Sequence, residues 1–176
     1  MLREAAPVTD EDADRNPSPK RCVTDPNEIM LEEFDKFKFR FPAGRLNMLS
    51  SLNYIGSFFQ NNNSILAEFT GYVRNQLLTS FDKLGVIDRP RYLVDAYCGS
   101  GLFSITCGEG FDSVVGVEIS ADSVKYASAN ARANNVTNAT FLSGSADKIF
   151  EIVKTPPDQT AVIIDPPRKV ILCQLS

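Results

Sequence analysis

At 176 residues and 19.4 kDa the chain is long enough for one domain with a real core, and 43% hydrophobic against 23% charged residues is an ordinary globular composition. A formal net charge of -4 argues against a molecule that is one large nucleic-acid-binding surface, while leaving room for a local basic patch. With no histidine, and with Cys22, Cys98, Cys107 and Cys173 in no ligand-like pairing, a histidine-based triad and a zinc site are excluded, so no metal is expected.

Residues 1–20 are polar, with Pro7, Pro17, Pro19 and the acidic cluster Asp10, Glu11, Asp12 and Asp14. Such a stretch buries too little apolar surface to offset ordering, so a disordered tail is expected. It has no apolar core of a secretory signal, and no run in the chain approaches membrane-spanning length. The expectation is an intracellular protein, cytoplasmic or nuclear, with reduced thiols and no membrane partner.

Residues 21–90 form an N-terminal segment. Phe37-Lys-Phe-Arg-Phe41 alternates strictly and predicts a strand. Two readings stand for its basic residues Lys36, Lys38 and Arg40, together with Arg45. The weightier is a half-buried strand with a solvated outer face, and the other is an RNA-binding patch interleaved with aromatics. Next, Ser57-Phe-Phe-Gln-Asn-Asn-Asn-Ser64 leads into a helix on which Ile65, Leu66, Phe69, Tyr72, Val73 and Leu77 recur, with Asn63 or Ser64 as its cap.

Residues 91–176 read as βαβαβαβ. Strand Tyr92–Asp95 runs into Gly99-Ser-Gly101 and a helix near Leu102–Cys107. Strand Ser113–Glu118 is followed by a helix capped by Ser120, with Val124, Ala127 and Ala131 inward. Strand Ala139–Leu142 precedes a helix with Ile149, Phe150 and Val153, and strand Thr160–Asp165 is closed by Pro166-Pro167. Short apolar strands alternating with amphipathic helices predict an α/β fold with a parallel, doubly wound, Rossmann-like sheet.

Three features point to chemistry. In Asp95-Ala-Tyr-Cys-Gly-Ser-Gly101 the glycines let backbone pass close under a ligand, although a plain β–α turn would look the same. Glu118 ends the second strand, where a carboxylate accepts from both ribose hydroxyls of a nucleoside cofactor; its spacing from the glycines fits the roughly 20-residue rule of dinucleotide sites. Nicotinamide dinucleotides and S-adenosylmethionine then compete. Ser104 stands where a dinucleotide binder has Gly or Ala, and acidic residues such as Asp95 suit a sulfonium and an amino group, so S-adenosylmethionine is favoured. Finally, Asp165-Pro-Pro-Arg168 places a carboxylate at the end of the fourth strand, beside the switch point where open α/β sheets bind ligands.

Together these residues resemble the RNA 5-methyluridine methyltransferases, in particular the eukaryotic transfer-RNA (uracil-5-)-methyltransferases. The resemblance is carried by Val23-Thr-Asp-Pro-Asn-Glu-Ile29, Phe39-Arg-Phe-Pro-Ala-Gly44, Ser57-Phe-Phe-Gln-Asn-Asn-Asn-Ser-Ile65, Asp95–Gly101 and Asp165-Pro-Pro-Arg-Lys169. It implies an S-adenosylmethionine-dependent methyltransferase fold and a tRNA substrate. Gln60 would contact the cofactor's methionine part, Tyr97 and Gly99 would line its pocket, Glu118 would hold the ribose, and Asp165 would close the crevice near the reacting base. Leu102 stands where the family often has Asn.

The family's reaction begins with a cysteine thiolate adding to carbon 6 of uracil, which makes carbon 5 nucleophilic; a base later removes the carbon 5 proton. The resemblance puts that cysteine on the strand after Asp-Pro-Pro-Arg and the base beyond it, so this chain is expected to stop after about the fourth parallel strand, without a catalytic residue. The alternative is a non-catalytic S-adenosylmethionine- or RNA-binding module. Arg45 to about Gly56, which separates Phe-Pro-Ala-Gly44 from Ser57-Phe-Phe-Gln, and the tail after Lys169 both depart from the family and read as translated intron or a faulty gene model.

Overall fold

The computed structural model describes residues 2–5, 20–23, 28–43, 63–83 and 89–166. The motif Ser57–Asn62 with Gln60, the departing stretch after Gly44, and Arg168 with the tail beyond it lie outside the described residues. Within the stretch read as a tail, Leu2–Ala5 (β1) pairs antiparallel with Lys20–Val23 (β2). Composition speaks to apolar burial; it does not weigh a backbone ladder that gives peptide groups their partners.

Ile29–Phe34 (β3) and Phe37–Pro42 (β4) form an antiparallel hairpin, turning at Asp35 with φ 51°. The alternation of β4 is realised: Phe39 and Phe41 are buried, while Lys38 and Arg40 are exposed. Phe34 stacks on Phe39 with ring centroids 5.7 Å apart. With Met30 these rings pack against Leu66, Leu102, Ile105 and Ala131, so the hairpin shares its core with the helices of the next layer. Each fully buried ring contributes about 1.5–3 kcal/mol relative to exposure.

A 3₁₀ turn, Asn63–Ile65, stands where a side-chain cap was expected and feeds Leu66–Lys83 (α1). The helix is as predicted, but its buried face is narrower. Leu66 and Thr70 are buried and Val73 and Leu77 pack on the core, whereas Ile65, Phe69 and Tyr72 are exposed.

The remaining elements build the sheet: Tyr92–Asp95 (β5), Leu102–Thr106 (α2), Ser113–Glu118 (β6), Ala121–Ala133 (α3), Ala139–Ser143 (β7), Ile149–Ile152 (α4) and Thr160–Ile163 (β8). Its order is β7-β6-β5-β8 with every pair parallel. The chain winds outward from β5 to β7, then returns after α4 to the other side of β5, which makes the β5–β8 boundary the switch point. Leu93, Val114, Ala161 and Ile163 face α1 and α2, while Val94 and Val117 on the other face meet Ile149 of α4. Helices thus cover both faces, as parallel strands require. Pairing in β8 stops at Ile163, two residues short of the expected end; Pro166, lacking an N–H, cannot extend a ladder.

On α3 the buried positions are Ser123, Ala127, Asn130 and Ala131, with Val124 only half-buried. Ser120 caps the helix as expected, its hydroxyl accepting from the Ser123 N–H at 3.3 Å. Ser120→Ala is expected to cost about 1 kcal/mol of stability, read as a lower melting temperature with an unchanged far-ultraviolet spectrum. An unchanged melting temperature would mean that water replaces the cap at no cost.

Candidate functional site

The site is built where β5, β6 and β8 end together. After Asp95 the chain is pinned on both sides: the Ala96 N–H donates to the Ile163 carbonyl at 2.9 Å and the Cys98 N–H to that of Val117 at 3.1 Å. A turn follows in which the Gly101 N–H reaches the Cys98 carbonyl at 2.8 Å. Gly99 and Gly101 have φ of 52° and 92°, a region that costs a side chain dearly. At Gly101 a Cβ would also stand 3.0 Å from Ile105 Cδ1 and 3.3 Å from Ala127 Cβ, so this glycine also lets the turn approach α3.

Asp95 is fully buried. Its Oδ2 accepts from the Ser104 N–H at 3.0 Å and from the Ser104 hydroxyl at 2.7 Å, which ties the end of β5 to the first turn of α2. Its Oδ1 is buried without a hydrogen-bond partner among the described residues. Burial pushes this carboxyl up to about 6 against the opposing Ser104 bonds, and the charges of Asp165 and Glu118 push the same way. The carboxylates at the ends of β6 and β8 thus act electrostatically on the one that ends β5.

Glu118 ends β6 with both oxygens oriented by backbone. Oε2 accepts from the Gly99 N–H at 3.2 Å and Oε1 from the Ser120 N–H at 2.9 Å. The remaining lone pairs are available to hydroxyl donors. The next residue, Ile119, is 74% exposed beside this carboxylate.

Of the residues singled out in the sequence, Gly99 and Glu118 are in contact, and Asp165 lies exposed just beyond β8 with its field reaching Asp95. Tyr97 is half-buried against Val94, Ala96, Val117 and Ile149. Gln60 is outside the described residues. Sequence reasoning missed Ser104 as the group that holds Asp95; a serine in the first turn of a helix nine residues after a strand-ending aspartate was the available signal. It also missed Ile119, whose exposure no periodicity reveals, and Asn130 of α3.

Cys98 is packed rather than reactive: a Cβ on Gly116 would stand 2.9 Å from its sulfur, and burial raises its thiol far above the ordinary value. Burial likewise pushes Cys107 up to about 11. A cavity of about 550 Å³ lies instead between α3 and the start of β7, lined by residues that include Ser128, Arg132, Thr140 and Phe141. It holds none of the carboxylates and is remote from the strand ends where chemistry is organised.

A parallel sheet ordered β7-β6-β5-β8, with a glycine turn after β5 and an acidic residue ending β6, defines a Rossmann-like α/β fold, and the family model that the chain matches places it in the methyltransferase class. Residues 52–169 match the family model described as tRNA (Uracil-5-)-methyltransferase, and the chain belongs to that family. Among curated relatives, the tRNA (uracil(54)-C(5))-methyltransferase of Schizosaccharomyces pombe is 57% identical over 85% of this chain and 26% of its own length. That of Saccharomyces cerevisiae is 50% identical over 85% of this chain and 21% of its own length. The chain thus spans roughly a quarter of these relatives. Among solved structures, the Pyrococcus abyssi tRNA (uracil-54, C5)-methyltransferase in complex with S-adenosyl-L-homocysteine superposes with a TM-score of 0.54 at 23% identity. It covers 81% of this chain and 29% of that one, a likeness of fold.

Proposed function

We propose that this chain is the S-adenosylmethionine-binding part of a tRNA (uracil-5-)-methyltransferase, an intracellular enzyme of tRNA modification in the cytoplasm or nucleus. The observation that carries the reading is the joint Asp95, Gly99 and Glu118 arrangement. A buried, unpartnered carboxylate oxygen and a backbone-oriented carboxylate with spare lone pairs meet at one glycine turn. That donor set fits a molecule carrying a cation at one end and a ribose diol in the middle. The family membership and the 57% and 50% identical tRNA methyltransferases support the same reading.

In this reading Glu118 accepts from the ribose hydroxyls, Ile119 gives the adenine an apolar surface, and Asp95 offsets positive charge on the methionine part. Tyr97 and Gly99 line the pocket, Gln60 reaches the methionine part, and Asp165 faces the reacting base. When bound, S-adenosylmethionine supplies an electrophilic methyl group. The thiolate needed to activate carbon 5 of uracil is neither Cys98 nor Cys107, since both are buried and both thiols are held protonated at neutral pH. The second reading is a non-catalytic S-adenosylmethionine- or RNA-binding module. Transfer of a labelled methyl group to unmodified tRNA separates the two.

The cofactor class is tested by calorimetry. S-adenosylhomocysteine is expected to bind more tightly than NAD, because the third position of a dinucleotide turn is occupied by Ser104, buried and committed to Asp95. Tighter binding of NAD would overturn the assignment.

A further inference from the structure

The β3–β4 hairpin and the glycine turn share one side chain. Asn130 on α3 is 2% exposed and uses its whole amide. Its Oδ1 accepts from the Arg40 N–H at 2.8 Å, and its Nδ2 donates to the Arg40 carbonyl and to the Ser100 carbonyl, each at 3.0 Å. Four residues on, Asn134 repeats the two strand bonds: Oδ1 accepts from the Lys38 N–H at 2.9 Å and Nδ2 donates to the Lys38 carbonyl at 2.7 Å. The periods match, since four helical residues advance about 6 Å and two strand residues about 6.6 Å. The two amides therefore stand in for a missing neighbour strand along the outer edge of β4, and they settle which way each amide is turned. Only Asn130 goes further, to Ser100. Ser100 lies between two glycines with positive φ, where the backbone has most freedom to rotate.

We propose that Asn130 is a positioning residue that couples docking of the β3–β4 hairpin to the shape of the cofactor turn, so that the turn holds its binding geometry only while the hairpin is seated. The inference rests on the cofactor reading above. Fixing the Ser100 carbonyl holds the Ser100–Gly101 peptide, whose N–H closes the turn onto the Cys98 carbonyl at 2.8 Å, and that turn presents the Gly99 N–H that orients Glu118. Loss of Asn130 removes one hydrogen bond to the buried Ser100 carbonyl and one to the part-buried Arg40 carbonyl at once.

The test compares Asn130→Ala with Asn134→Ala in the whole chain, below the melting temperature of each. Both are expected to lower the melting temperature by loosening the hairpin. Only Asn130→Ala should weaken S-adenosylhomocysteine binding, by about tenfold. In the ligand-free protein, only Asn130→Ala should speed hydrogen exchange at the Gly99 and Gly101 amides. Should Asn130→Ala not fold, Asn130→Asp at pH 8 carries the same test, keeping the acceptor for Arg40 and losing both donations. Equal losses of affinity in the Asn130 and Asn134 variants, or unchanged exchange at Gly99 and Gly101, would overturn the coupling. A wild-type chain that fails to bind S-adenosylhomocysteine but shows the selective exchange effect would sink the cofactor reading and leave the coupling standing.

Discussion

Glu118→Ala is expected to weaken S-adenosylhomocysteine binding by about 2–3 kcal/mol, since charge-assisted bonds to two hydroxyls are lost together. The carboxylate enters the complex already aimed, because the Gly99 and Ser120 amides hold its two oxygens. Little side-chain freedom is then lost on binding, and the bonds to ligand count nearly in full. Glu118→Gln, with one acceptor oxygen and no charge, should fall between the two. Asp112→Ala is the control. Asp112 pairs with Arg91 at 2.6 Å on the surface, with side chains 50% and 59% exposed, and a pair so well solvated contributes little. Calorimetry on the four proteins reads the result. Equal losses at Glu118 and Asp112 would reduce Glu118 to a surface carboxylate.

Much of this site was legible from the sequence because its parts sit at positions that periodicity marks. Strands β5 and β6 begin and end where the apolar runs do, so Asp95 and Glu118 could be placed at strand ends and Gly99 in the turn between strand and helix. The Phe39 and Phe41 alternation gave the buried face of β4, and the weightier reading of its basic residues agrees with Lys38 pairing to Glu33 at 3.1 Å. Legibility failed where two elements distant in sequence decide the outcome. Nothing near Asn130 announces an edge strand 90 residues away. On α1 the pattern was right in period and too generous in width. Phe69 and Tyr72 are exposed, whereas Leu66, Val73, Leu77 and Leu78 pack on the core shared with α2 and the sheet, which Phe69 meets only edge-on through Phe103, ring centroids 5.7 Å apart.

Binding should also depend on pH through Asp95. Its carboxyl is pushed from 3.8 up to about 6 in the folded chain, first by burial, and further by the charges of Asp165 and Glu118, against the two Ser104 bonds. The folded state therefore holds this proton more tightly than the unfolded state. Asp95 adds stability below about pH 4, and that contribution is lost as pH rises towards about 6. Ligand binding runs the other way. A cationic amino group or sulfonium beside Asp95 favours the ionised form, so affinity is fully present above about pH 6 and falls as Asp95 protonates. The fall is expected to approach about tenfold per pH unit below 6, since one proton must be expelled for each ligand bound. The ligand itself does not titrate between about pH 4.5 and 6.5, its amino group staying charged and its carboxyl ionised. Because the charges of Glu118 and Asp165 also act on Asp95, Asp95→Asn is the discriminating variant. It keeps an oxygen for the Ser104 donors and removes the proton in question. Calorimetric titrations of S-adenosylmethionine and S-adenosylhomocysteine at pH 7 and pH 5 should show the loss in the wild type and a flattened dependence in Asp95→Asn. The same slope in both proteins would assign the titration to Glu118 or Asp165 and remove Asp95 from the site.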